Sequence, residues 1–454
     1  MRLLVLIGLP FAAAVLSQAF GKVRIRATTL SLCLLFAEFY ILRGVGSQYA
    51  FSFGTMTLTV SPLAHFLFSL IIGLVGIIVL YSYGMRSDHL TAAAFVVLGG
   101  IAAILLLNNL ILITLLIEII GVGIVLFVGG PRVTKGGVNS ATKYLAAAII
   151  ASVCLVFAFL LVDYYRLSSE NALLARLVLA LLVVGFGIRL AGFPFHFWLP
   201  DFSHNSPPMV TALLVSLLSL AVLAFLIVVL RTFPWLLDSD EARNLLTTGG
   251  MIGALLGAAI ALGQPSINRV LAYSAVSEMG VIVFGIGTVS SLGLVGAVFE
   301  AVTMSVGMLL LLMSAGVVIR CCGNTDLARL GGLASRLPVA TIGFIAGGLS
   351  IAGFPPFGGF ASRWVLLSAA RQAQGAISIW IIGVGLLLTL AYSRALRQAF
   401  LGEEVGKRVG SEAFVPSVAI IVLILVVLGL GLYPAPVFDH INAALAGISL
   451  IKSG

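Results

Sequence analysis

The stretch GFGIRLAGFPFHFWLPDFSHNSPP, Gly185 to Pro208, sets an arginine, two histidines, an aspartate and four prolines inside or beside an apolar run long enough to cross a membrane. Pro194, Pro200, Pro207 and Pro208 cannot continue a helical ladder, so nearby carbonyls lose their intrahelical donors. In a bilayer such groups need other partners, and non-helical backbone is tolerated only where it packs in protein or lines a wet cavity. Arg189 adds to this, since an arginine in mid-span costs ~2.5–3.5 kcal/mol unless it faces a partner or water. The stretch therefore reads as the wall of a polar path. The plainer alternative is a proline kink with Arg189 snorkelling to the nearest interface.

Working outward, the chain has 454 residues, 61% hydrophobic and 9% charged, with a mean hydropathy of +1.20. Soluble domains carry about 25% charged residues, so this is an integral membrane protein. No stretch between the apolar runs is long or polar enough for a soluble domain, which makes residues 1–454 a single membrane domain. The net charge of +9 then speaks to topology and anionic headgroups rather than nucleic acid. Cys33, Cys154, Cys321 and Cys322 have neither CxxC nor zinc spacing. There is no haem, iron–sulfur, dinucleotide or nucleotide-binding motif, and no histidine–carboxylate set has metal-ligand spacing. The chain itself is not expected to be a redox catalyst or to bind a cofactor or metal.

Apolar spans are expected at 1–20, read as a retained span rather than a signal peptide, and near 27–42, 63–83, 91–107, 109–128, 143–163 and 174–193. Others follow near 209–230, 244–263, 269–289, 293–318, 336–354, 363–400 (long enough for two) and 415–434, about fourteen in all. Residues 47–62 alternate like a short hairpin outside the membrane. Asp238 and Glu241 before Leu245 read as a capped helix start. Assigning loops alternately collects most Lys and Arg on one side, among them Lys22, Arg86, Arg132, Arg269, Arg320 and Lys407. That side is cytoplasmic by the positive-inside rule, which puts both termini on the other face of a cell inner (plasma) membrane.

Ala191-Gly192-Phe193-Pro194 is echoed by Ala352-Gly353-Phe354-Pro355, each near an arginine, Arg189 or Arg363. Two broken-helix regions are thus expected, 174–214 and 336–373, with Pro194, Pro200, Pro355 and Pro356 as the breakers. Paired broken helices point to a transport site at a repeat interface.

Six ionisable groups fall inside spans: Glu38, Glu118, Glu278, Glu300, Arg189 and Arg363. Each is a functional hypothesis, with a structural ion pair as the alternative. Glu118 lies near mid-membrane, where burial and a nearby Arg189 would oppose each other in setting its proton affinity. Glu38 is expected near water at the end of its span, beside Arg43. His196 could shuttle protons or bond to freed carbonyls, with Trp198 beside it suited to an interface. Asp201 and His204 are placed in a connecting loop, either gating access or simply solvated.

PFHFWLPDFSHNSPPMVTALL at 194–214, SINRVLAYSAVSEMG at 266–280 and GFPPFGGFASRW at 353–364 together resemble the antiporter-like membrane subunits of respiratory complex I. That family is shared with Mrp-type cation/proton antiporters and membrane-bound hydrogenases. The resemblance covers most of the chain in order. It implies an all-α polytopic fold of about fourteen transmembrane helices, with two inverted repeats, each containing a broken helix, and a hydrophilic axis conducting protons. It also implies further antiporter-like and other membrane subunits as partners, a peripheral redox arm, and iron–sulfur clusters and quinone in partner chains.

The glutamate that the family expects on its fifth helix matches Glu118, and its lysine before Pro-Phe-His falls on Arg189. The lysine or glutamate after the second Gly-Phe falls on Arg363, and the His or Gln before Met-Gly on Glu278. Two further family lysines would fall at Ser219 or Leu220 and at Met308, where nothing is ionisable. A buried lysine can release its proton whereas arginine cannot, so the family's relay cannot run here unchanged. Arg189 and Arg363 are expected to be fixed charges, with Glu118, Glu278, Glu300 and His196 handling protons. The leading reading is a proton-translocating subunit of an NADH-quinone oxidoreductase or membrane-bound hydrogenase type of complex. The alternatives are a subunit of an Mrp-type antiporter, or a scaffold that keeps the fold without conducting.

Overall fold

The structure, a computed structural model, describes residues 2–20, 23–45, 50–53, 56–128, 135–167, 172–237, 239–401 and 410–446. Helices α1 (Arg2–Ala19), α2 (Arg24–Arg43), α3 (Pro62–Met85), α4 (Asp88–Leu106), α5 (Leu110–Val128) and α6 (Lys135–Leu167) come first. The short hairpin β1 (Ala50–Phe53) and β2 (Met56–Thr59) lies between α2 and α3, as the alternation predicts. Helix α7 (Ala172–Arg189) is followed by a 3₁₀ turn, Phe195–Phe197, and the short α8 (Trp198–Asn205). The second half holds α9 (Pro208–Thr232), α10 (Asp240–Gly263), α11 (Ile267–Gly287), α12 (Ser291–Cys322), α13 (Pro338–Ala352), α14 (Gly358–Gln374), α15 (Trp380–Ala399), α16 (Phe414–Leu432) and α17 (Ala435–Leu445).

Eleven of the described helices are long and apolar enough to cross a membrane. The stretch 363–400 divides as α14 and α15, with α14 forming the continuation of a broken helix rather than an independent run. Lys22, Arg132 and Lys407, used in assigning sidedness, lie outside the described residues. So does Asp238; the cap of α10 is Ser239, whose hydroxyl accepts from Ala242 N at 3.2 Å.

Helices in lipid gain no hydrophobic drive from one another, so small residues that admit close approach decide which pairs pack tightly. This is clearest between α10 and α11. A Cβ on Gly250 would sit 2.6 Å from Phe284 N, and one on Gly257 2.7 Å from Ser277 N. Ser277 Oγ donates across the contact to Ala254 O at 2.7 Å. The neighbour of Ser277 is Glu278, so this seam fixes a charged residue. Helix α12, almost wholly buried, runs through the middle and packs on α11, α13, α14 and α16.

Both expected breaks are present. After α7, Ala191 N donates to Ile188 O (3.2 Å), Gly192 N to Gly187 O (2.8 Å) and Phe195 N to Gly192 O (2.7 Å). After α13, Gly353 N donates to Ser350 O (3.0 Å), Phe354 N to Leu349 O (2.9 Å) and Phe357 N to Phe354 O (3.1 Å). The left-handed residue is Ala191 (φ 52°) in one and Gly353 (φ 78°) in the other. The two breaks therefore share one hydrogen-bond pattern, but shifted by one residue from the sequence echo: Ala191 matches Gly353, not Ala352. Backbone geometry overrides the four-letter repeat, since only the position in the turn decides which residue must adopt positive φ.

Candidate functional site

At the first break, α7 ends in Arg189, whose side chain is 4% exposed and reaches across to Glu118 on α5, itself 18% exposed. Arg189 Nη2 donates to Glu118 Oε2 and to Ser152 Oγ on α6, while Ser152 Oγ donates to Glu118 Oε2 at 2.8 Å. Three separate helices thus meet on one buried ion pair. Trp198 Nε1 donates to Ile188 O at 2.9 Å, a second donor to the carbonyl that also accepts from Ala191 N at the break. Trp198 is buried, and its ring packs on Tyr144 at 4.8 Å. Beside the pair is a void of about 20 Å³ lined by Tyr144, Arg189, Trp198 and Ser219, room for about one water. Arg189 Nε and Nη1 and Glu118 Oε1 are buried with no partner among the described residues.

At the second break, Arg363 on α14 stands between two carboxylates, Glu278 on α11 and Glu300 on α12, and all three side chains are buried. Its Nη2 donates to Glu278 Oε1, and its Nε lies 3.5 Å from Glu300 Oε1. It also donates to the freed carbonyls of α13, to Ile351 O at 2.6 Å and Ala352 O at 3.4 Å. Gly353 leaves room for this: a Cβ there would lie 2.5 Å from Arg363 Cδ. Thr303 and Ser362 hydroxyls meet at 3.1 Å nearby.

His196 is half-buried, stacked on Phe193 (5.5 Å between ring centres) and edge-on to Tyr273 (5.8 Å). Its Nδ1 has no partner among the described residues, and no described hydrogen bond or ion pair joins it to either arginine. Asp201 and His204 lie in α8 rather than a loop; Asp201 pairs with Lys143 at 2.6 Å and Arg269 at 3.5 Å, and His204 Nδ1 lies 3.1 Å from Ser266 Oγ. Glu38 is not near water: it is 1% exposed, on the face of α2 that also buries Leu35 and Leu42, and its Oε1 lacks a described partner. Its place on that buried face, not its distance from the helix end, decides this. Ser152 and Tyr144 were not legible as site residues, because buried Ser and Tyr occur throughout such helices.

A cavity of about 1020 Å³ opens beside α8 and the start of α9, lined in part by His89, His204, Asn268, Arg320 and Thr325. Met209 and Val210 of α9 border it, while Leu214, Leu218 and Ser219 border the small void at Arg189. Between them the buried hydroxyls of Thr211 and Ser216 have no described partner. A π-helical turn, Leu213–Leu218, lies in this part of α9, and Ser219 Oγ donates to Leu214 O at 3.0 Å.

Residues 108–389 match the family described as NADH:quinone oxidoreductase/Mrp antiporter, transmembrane. The chain belongs to this family. It is 29% identical over 387 residues to NADH-quinone oxidoreductase subunit N 2 of Opitutus terrae, covering 79% of this chain and 78% of that one. It is 27% identical to hydrogenase-4 component B of Escherichia coli, over 85% of this chain and 54% of that longer one. Its fold matches a chain of respiratory complex I from Thermus thermophilus with a TM-score of 0.83, at 19% identity and covering 100% of both chains. The match to the family spans both charged centres, from Glu118 to Arg363.

Proposed function

We propose that this chain is the proton-translocating, antiporter-like membrane subunit of a respiratory oxidoreductase complex of the NADH-quinone oxidoreductase or membrane-bound hydrogenase kind. One observation carries the reading: two helices broken within their apolar run each bring a buried arginine onto glutamate from other helices. Ion pairs inside a membrane domain are costly to maintain and mark ion pathways. The large cavity gives water access to the start of α9. The stretch of α9 from that cavity to the void beside Arg189 carries the hydroxyls of Thr211, Ser216 and Ser219. Arg189 and Arg363 hold fixed positive charge, because a guanidinium does not release its proton; Glu118, Glu278, Glu300 and His196 take and give protons. The excess of Lys and Arg on alternate loops of the sequence supports a plasma-membrane topology with both termini on the non-cytoplasmic side. Iron–sulfur clusters and the quinone site belong to partner subunits, and other antiporter-like subunits lie alongside.

The composition of the assembly that co-purifies in mild detergent tests this reading. A stoichiometric partner containing iron and sulfide is the expected result. Co-purification with only other membrane subunits, together with cation-driven proton exchange in liposomes, would replace it with an Mrp-type antiporter.

A further inference from the structure

We infer that Glu278 and Glu300 share a single proton, so that the second centre is a proton-holding carboxyl pair clamped by Arg363. The inference deepens the proposed function and takes from it only that protons reach this centre. Its basis is a charge count in a closed space. Glu278 and Glu300 are each 1% exposed and Arg363 is 6% exposed, so water cannot compensate an excess charge there. One arginine balances one carboxylate. Among the described residues, the other polar groups near the cluster are neutral: Ser274 and the phenol of Tyr392 near Glu278, and Thr303 and Ser362 near Glu300. The nearest further arginine on α15, Arg394, donates to Leu262 O and Gln264 O and is not directed at the pair.

Two carboxylates held together in low dielectric cannot both ionise, and an uncompensated buried charge costs several kcal/mol. The atoms show where the proton belongs. Both Oε1 atoms face Arg363, while both Oε2 atoms are buried without a described partner. The two carboxyls are brought together by the one guanidinium that both face. An O–H on one carboxyl donating to the other satisfies the pair, and passing it across moves a proton from α11 to α12 while Arg363 stays charged. Nothing of the kind is available at the first centre, where Glu118 and Arg189 balance one to one.

Infrared difference spectroscopy of the intact purified assembly, in H₂O and D₂O at neutral pH, tests this. Glu300→Gln is expected to lose one neutral carboxylic acid carbonyl band, sensitive to D₂O, with no loss of carboxylate absorbance, because Glu278 then ionises against Arg363. Glu278→Gln should give the same spectrum. Arg363→Gln should gain one neutral acid band, and Glu118→Gln should leave the band in place; bands from other carboxyls, Glu38 included, cancel in the differences. Loss of carboxylate absorbance in Glu300→Gln with the neutral band unchanged would overturn the inference. So would a neutral band that disappears on adding sodium ions, which would assign the excess charge to a bound cation. Proton translocation by the same samples is read separately: its absence with the band present bears on the proposed function alone, and the converse on the shared proton alone.

Discussion

The first and second broken helices have the same backbone turn and opposite arrangements of charge. Ala191 N and Gly353 N make the same hydrogen bond, as do Gly192 N and Phe354 N. In that register Arg189 corresponds to Ile351, and Arg363 to Asp201. The first arginine therefore ends the helix before its break, and the second lies in the helix after its break. Arg363 reaches back to the carbonyls of Ile351 and Ala352, whereas at the first break it is Trp198, not Arg189, that donates to a carbonyl of the broken helix, Ile188 O. The first centre is a one-to-one pair, partly open at Glu118, and the second is a sealed one-to-two cluster. The same broken-helix scaffold can thus present a charge that responds to its surroundings on one side and store a proton on the other.

The difference can be broken most forcefully at Glu118. Glu118→Gln leaves Arg189 as a buried charge with no carboxylate partner among the described residues, and thermal denaturation of the purified assembly should show a loss of about 3 kcal/mol, the lower end for a broken buried pair because Glu118 is partly exposed. Gly280→Ala acts on the second centre through packing. The new methyl would press on the backbone of Ala254 and Gly250, and overpacking of this kind costs ~1–3 kcal/mol. Because Glu278 is two residues away, its infrared signature should shift as well, while that of Glu118 stays as it was.

Asp201→Asn probes the position that matches Arg363. Its partners Lys143 and Arg269 are part-exposed, so a change of ~0.5–1 kcal/mol that shrinks at high salt is expected from the melting temperature. Glu300→Gln should have the smallest effect, within about 0.5 kcal/mol of the parent, since it leaves Arg363 and Glu278 balanced and keeps a polar group of the same shape. A large loss there would mean that Glu278 alone does not compensate Arg363.

Much of this contrast is legible in the sequence, but not its sense. The prolines at 194 and 355–356 mark both breaks because they cannot donate to a ladder, and Glu118 facing Arg189 follows from a membrane's intolerance of lone charges. The echo of Ala-Gly-Phe-Pro misplaces the register by one residue, since which residue takes positive φ is set by the turn and not by letter matching. That Glu300 joins Glu278 on one arginine depends on the rotation of α12 against α11, which no periodicity in two uniformly buried helices reveals. Glu38 shows the same limit: its burial depends on which face of α2 meets its neighbours, and sequence distance from Arg43 suggests the opposite.

The most direct test of the account is proton translocation by the assembly reconstituted in liposomes with the double variant Glu118→Gln/Arg189→Gln. Removing both charges spares the fold the unpaired arginine, so the assembly should form with its normal composition. The account predicts that translocation is then lost, because the first centre no longer holds a group that can take up a proton. Translocation at the parent rate, with the assembly intact, would contradict it.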